Sequence, residues 1–192
     1  MFGTGKQKDN LVLEDRLLIR KFNHGNRQVL GRVYEKYKAD LVTLAVALLF
    51  DKNTAEDAVH DVFVSFIKSC GKLRVTGNLK GYLAASVANG ARNKMKALER
   101  HRGVGLDEVA PITAESDSPD LSAMFAEQSQ GMAYALRQLP YQQREVILLH
   151  LYTGLKFRTI AKSQGESINT IQGRWRYGLA KLRSLLNSEV EK

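Results

Sequence analysis

The sequence predicts an all-α protein of two small helical domains joined by a flexible acidic linker, the second domain containing a helix-turn-helix. Three observations predict it. Apolar residues recur at three-and-four spacing over long stretches, and no stretch alternates apolar and polar residues as a strand would. The periodicity lapses once, across an acidic segment containing glycine and proline. A chain of 192 residues with 44% hydrophobic content has room for two small cores.

The first stripe runs from Leu30, Val33, Tyr34 and Tyr37 into Leu41, Leu44, Ala45, Leu48 and Leu49, one buried face of a helix. After Asp51-Lys52-Asn53, Thr54 fits the N-cap of the next helix with Asp57 three residues on. Ala58, Val59, Val62, Phe63, Phe66 and Ile67 supply its apolar face. Gly71 and Gly77 bracket a basic loop, and a third long helix follows from about Leu79 to Arg100. From Gly103 to about Ser122, Gly103, Gly105, Pro111 and Pro119 sit among acidic and small residues, the composition of a flexible connector. Met132, Leu136 and Leu139 resume the pattern, and Val146, Ile147, Leu149 and Leu151 continue it beyond Pro140. The domain limits that follow are 9–102 and 126–187, with residues 103–125 as linker.

Charge narrows the function. The chain carries a formal +9, distributed as +9 over residues 1–102, −6 over 103–127 and +6 over 128–192. Two basic blocks flanking an acidic hinge favour a polyanionic partner, nucleic acid or an anionic membrane surface. No apolar run approaches the roughly 18 residues of a membrane span, and Met1–Asn10 lacks the apolar core of a secretory signal, so a cytoplasmic protein is expected. Cys70 stands alone and can form no internal disulfide, which fits a reducing compartment. His24, His60, His101 and His150 are scattered without ligand spacing or a nucleophile's partners, so neither a metal site, a cofactor nor a catalytic site is expected. Gly3-Thr4-Gly5-Lys6 falls short of a phosphate-binding loop.

The segment Leu155–Leu186 carries the most information. It reads as two helices separated by a tight turn at Gly165-Glu166-Ser167. Phe157, Ile160 and Ala161 face inward from the first helix, and Ile168, Ile171, Trp175, Leu179 and Leu182 from the second. Ser167, Asn169, Thr170, Gln172, Gly173, Arg174 and Arg176 remain at the turn and near the start of the second helix, where a recognition helix meets the major groove. Asn and Gln pair bidentately with adenine and Arg with guanine, while Arg174, Lys181 and Arg183 could instead hold phosphates.

Reading outward, Leu139-Pro140-Tyr141-Gln142-Gln143-Arg144-Glu145-Val146-Ile147 followed by Leu155-Lys156-Phe157-Arg158-Thr159-Ile160-Ala161 resembles the carboxy-terminal domain of bacterial sigma factors. Ala55-Glu56-Asp57-Ala58-Val59-His60-Asp61-Val62-Phe63 resembles the acidic signature of that family's first domain, with His60 in place of the usual Gln and Asp61 in place of Glu. The order of the two motifs, with no third domain between them, is similar to the extracytoplasmic-function group of the sigma-70 family.

The resemblance implies a division of labour. The acidic face, here Asp57, His60 and Asp61, docks the beta-prime clamp helices of core RNA polymerase, and the beta flap is a further contact. The following loop and helix recognise and melt the minus-ten element, which gives Lys72, Arg74, Asn78, Lys80, Tyr82, Asn89, Arg92 and Lys96 that role. Arg92, Lys96 and Arg100 repeat every fourth residue as a phosphate-tracking stripe. The helix-turn-helix would read the minus-thirty-five element of promoter DNA. An anti-sigma factor often masks these surfaces in the family, although no residue here identifies one. Tyr82 replaces the family's usual tryptophan, Ala88 a basic residue and Asn93 an often acidic one, which bears on promoter sequence rather than on function. The rival reading is a conventional helix-turn-helix regulator that binds duplex unaided.

Overall fold

A computed structural model describes residues 4–102 and 127–190, and the side chains of 13–97 and 131–187. The described residues form α1 (Thr4–Asn23), α2 (Val29–Leu49), α3 (Lys52–Lys68), α4 (Leu79–Arg102), α5 (Glu127–Arg137), α6 (Tyr141–Thr153), α7 (Phe157–Gln164) and α8 (Ile168–Val190). All of the expected linker, residues 103–125, lies outside the described residues.

The sequence pattern does not predict α1, whose apolar residues form no single stripe: Leu13 and Leu17 are exposed. Leu18, Ile19 and Phe22 are buried, and the Phe22 ring stacks on Phe66 of α3 with centroids 4.1 Å apart. Charge does the rest of the docking: Lys36 of α2 bonds Glu14 and Asp15, each at 2.7 Å, and the Tyr37 hydroxyl donates to Asp15. The α3 cap differs from the expected Thr54. Asp51, extended at φ −137° and ψ 122°, accepts the Thr54 N–H at 2.6 Å. A carboxylate at that position satisfies an orphan amide and also favours the positive helix end.

The loop between α3 and α4 is anchored to α1. The Asn23 side chain donates to the Val75 carbonyl and accepts the Val75 N–H, both at 2.9 Å, and the Gly71 N–H reaches the Phe22 carbonyl at 3.1 Å. Gly71 has φ +76°, and a Cβ there would lie 2.9 Å from the Gly25 Cα, so only glycine fits.

The long helix α4 is apolar almost all round its N-terminal half. Leu83, Ala84, Val87, Ala88 and Ala91 are buried, and the small residues let neighbours approach from two sides. α2 and α3 cover one side, α6 and α7 the other. The larger apolar cluster therefore runs from Leu18 through α4 to Val146, Leu149, Leu155, Ile160 and Ile171. A smaller one joins Phe50 to Ala135, Leu136, Leu139, Ile147 and Leu182. Two cores were expected, and instead both clusters cross from one half to the other. Tyr34, Ile67 and Ile168, placed inward by periodicity, are exposed by 39%, 45% and 41%. Ile67 sits in the last turn of α3 and Ile168 opens α8, where a stripe runs out of neighbours; Tyr34 instead lies edge-on to Phe63, 4.8 Å between centroids.

Candidate polymerase and promoter interfaces

Asp57, His60 and Asp61 are all exposed on α3, while Ala58, Val59 and Phe63 are buried on its opposite side. Spacings of three and four residues put the three polar groups on one face. Asp61 pairs with Lys94 of α4 at 3.3 Å.

The eight residues assigned to the minus-ten element do not share one surface. Lys72 and Arg74 are exposed on the loop, and Lys96 on α4. Asn78 caps α4, its Oδ1 accepting the Gly81 N–H at 2.9 Å. Tyr82 and Asn89 line a groove of about 580 Å³ between α3 and α4, together with Asp61, Phe66 and Lys94. The Asn89 Oδ1 is buried there without a hydrogen-bond partner. Lys80 bonds Asp40 at 2.6 Å and lies over the Tyr152 ring, and Arg92 pairs with Glu145 of α6. The expected Arg92–Lys96–Arg100 stripe is thus interrupted at its first member; the Arg100 side chain lies outside the described residues.

In the helix-turn-helix, α7 ends at Gly165 in the left-handed region (φ +69°), which turns the chain into α8. Ser167 Oγ accepts the Thr170 N–H at 3.0 Å and lies 2.8 Å from the Thr170 hydroxyl, so both residues build the cap. Asn169, Gln172 and Arg176 are exposed along one face of α8; Tyr177 and Lys181 are exposed as well, but helical phase turns them away from Gln172. A Cβ at Gly173, beside them, would meet nothing within 4 Å. Within the motif, His150 is a packing residue. Its ring stacks on Phe157 at 4.3 Å, meets Trp175 edge-on at 4.8 Å, and Nδ1 donates to the Leu155 carbonyl at 2.7 Å.

Arg174 points elsewhere. Its guanidinium donates to Gln164 Oε1 at 3.0 Å and Glu166 Oε1 at 2.8 Å, bracing α8 against the end of α7 and the turn. Arg174→Ala is expected to lower the stability of the helix-turn-helix by about 1 kcal/mol, because the pair with Glu166 is only partly shielded. Denaturant unfolding measures that loss, and binding to a panel of duplexes should keep the same base preference; a changed preference would return Arg174 to the DNA-reading face.

Two charged residues inside the sequence motif have roles that their type does not reveal. Arg144 is 4% exposed: Nη2 donates to the Leu48 carbonyl of α2 at 2.8 Å, and Nη1 to those of Leu136 and Leu139 at 3.3 Å. The guanidinium also lies 4.6 Å from the centroid of Phe50, a left-handed residue (φ 53°) closing α2. Burial among neutral groups pushes its pKa down to about 10. Glu145 is 1% exposed, and burial raises its carboxyl while the Arg92 guanidinium pulls against that shift. Helical phase holds the signal, since Glu145 falls four residues from both Tyr141 and Leu149, which are buried.

The geometry defines an all-helical protein whose rear half presents a helix-turn-helix with an exposed polar face and whose front half presents an acidic helix face. Among the described residues no group of His, Cys, Asp and Glu could hold a metal ion, and no helix is long and apolar enough to cross a membrane. Residues 33–101 match the family model of sigma-70 region 2, and residues 130–182 that of sigma-70 region 4. The chain is 24% identical over 169 residues to the ECF RNA polymerase sigma factor SigM of Mycobacterium tuberculosis, covering 86% of this chain and 83% of that protein. It is 23% identical over 189 residues to the RNA polymerase sigma factor CnrH of Cupriavidus metallidurans, covering 93% and 97%. Among solved structures, the sigma factor RpoE in complex with the anti-sigma factor NepR from Bartonella quintana is similar, with a TM-score of 0.59 and 26% identity. That likeness covers 80% of this chain and 95% of that one. CnrH in complex with the cytosolic domain of CnrY shares the fold, with a TM-score of 0.61 at 21% identity over 91% and 97%. The chain belongs to the sigma-70 family of RNA polymerase sigma factors, in its ECF group. It is not an enzyme; it directs transcription initiation by RNA polymerase.

Proposed function

We propose that the front domain, residues 9–102, docks the beta-prime clamp helices through Asp57, His60 and Asp61, and that its loop and α4 capture the opened minus-ten strand. The rear domain, 126–187, reads the minus-thirty-five duplex through Asn169, Gln172 and Arg176 and meets the beta flap. A protein without ATP opens DNA by binding the opened state better than the duplex, which requires cations for phosphate and groups that stack on or hydrogen-bond an extruded base. Lys72, Arg74 and Lys96 supply the first, and the groove holding Tyr82 and the unpartnered Asn89 carbonyl supplies the second. Residues 103–126, fully extended, reach at most about 80 Å, enough for the two domains to work on separate promoter elements. The chain acts in the cytoplasm, and the two anti-sigma complexes among its structural relatives support an anti-sigma partner here.

The observation that carries this reading is the exposed Asp57–His60–Asp61 face opposite a fully buried one. Asp57→Ala should weaken core polymerase binding about five- to tenfold, the range for losing one partly exposed interfacial charge, and leave promoter sequence preference unchanged. Co-sedimentation with core enzyme and transcription from a promoter panel measure the two effects. Undiminished binding, or a changed sequence preference, would remove α3 from the polymerase interface.

A further inference from the structure

Charge is sorted around α1. Glu14 bonds Arg32 at 3.2 Å and Lys36 at 2.7 Å on α2, and Asp15 bonds the same lysine at 2.7 Å. Leu18, Ile19 and Phe22 are buried on the neighbouring side. What remains outward is Leu13 and Leu17, exposed by 55% and 56%, with Arg16, Arg20, Lys21 and His24. Wound at about 100° per residue, these side chains fall within an arc of about 140° opposite Phe22. Arg27, just beyond the helix, is exposed too. Among the described residues, Arg16, Arg20, Lys21 and Arg27 have no ion-pair partner. The acids of α1 are thus spent in the seam with α2, and its outward face carries cations and two leucines.

The leucines decide what fits. They stand one turn apart, the spacing at which a second helix seats apolar side chains between them. A nucleic-acid strand would use the cations but leave both leucines in water. An anionic bilayer takes up a face that is apolar along its length, whereas the turns after Leu17 present Arg20, Lys21 and His24 outward. An acidic helix with an apolar stripe uses every group: its leucines pack on Leu13 and Leu17, and carboxylates on its rims meet the arginines and the lysine.

We propose that the outward face of α1 is a docking site for an acidic amphipathic helix of another protein, with Leu13 and Leu17 at the apolar contact and Arg16, Arg20 and Lys21 pairing with its carboxylates. The site is separate from the Asp57–His60–Asp61 face, which α3 carries. A partner held there connects to the basic loop before α4, because Phe22 and Asn23 at the end of the same helix hold Gly71 and Val75.

The test measures binding of the full chain to a stapled peptide helix of about five turns, with leucines at three-and-four spacing and glutamates on the remaining positions. Fluorescence anisotropy should show it binding at least about tenfold tighter than a peptide of the same composition in scrambled order, and weakening as salt rises. Leu13→Ser/Leu17→Ser should lose at least about tenfold, because docking buries the exposed apolar surface that these changes remove. Arg16→Glu/Arg20→Glu should also lose at least about tenfold, more at low salt than at high. Both variants alter outward side chains, so the unfolding midpoint should stay at the parent's. Asp57→Ala should bind the peptide as the parent does, which separates this site from polymerase docking. Equal affinity for the ordered and scrambled peptides would reduce the face to a solvated charge ridge and overturn the proposal. Full affinity in Leu13→Ser/Leu17→Ser would overturn it, and so would a loss in Asp57→Ala, which would move the peptide to α3. Tighter binding to single-stranded DNA, or to vesicles of phosphatidylserine and phosphatidylcholine in equal parts, with the same dependence on Leu13 and Leu17, would give the face to another class of partner and overturn it as well.

Discussion

Arg144→Ala is expected to destabilise the chain by about 3 kcal/mol, a large loss for a single polar side chain. The guanidinium gathers three backbone carbonyls from the ends of two helices, Leu48 from α2 and Leu136 and Leu139 around the end of α5. Truncation leaves all three in a dry environment without donors and opens a cavity beneath the Phe50 ring. Arg144→Lys should not rescue, because one ammonium on a flexible stem cannot reproduce a planar fork aimed at two elements. Denaturant unfolding of both variants measures this. A loss below about 1 kcal/mol in Arg144→Ala would mean that water replaces the side chain easily and that the contact with α2 is only occasional. Two of the three carbonyls belong to the rear half, so most of the cost should persist even when the halves separate.

Periodicity reveals α2, α3 and the helix-turn-helix because each buries a stripe of large aliphatic or aromatic side chains at helical spacing, whereas α4, with Ala84, Ala88 and Ala91 buried, is marked by the glycines before it. It misses α1, where three buried residues are supported by the Glu14, Asp15, Lys36 and Tyr37 cluster, a tertiary arrangement without a local pattern. It also assigns roles by residue type where geometry decides. Arg92 and Arg174 have the same chemistry as Arg176, yet the first two are spent on Glu145 and on Gln164 with Glu166, and of the three only Arg176 is exposed. The contact between halves is illegible for a related reason: Arg144 and Glu145 read as ordinary polar positions in a motif until their partners, some fifty to a hundred residues earlier, come into view.

The double variant Gln172→Ala/Arg176→Ala should lose about 30- to 20,000-fold in binding to the minus-thirty-five duplex. Each bidentate base contact discriminates by about 1–3 kcal/mol, and about 1.4 kcal/mol is tenfold. The two side chains are four residues apart on α8, on the face Asn169 begins, and neither braces the turn as Arg174 does. Stability should therefore stay within about 0.5 kcal/mol of the parent, the range for surface substitutions away from special features. The decisive measurement is a comparison across duplexes altered one base pair at a time. Loss of base readout flattens the preference at the contacted pairs, whereas loss of phosphate contacts weakens every duplex equally and lowers the salt dependence. Uniform weakening would assign Gln172 and Arg176 to the DNA backbone and leave Asn169 as the exposed group on that face placed to read bases.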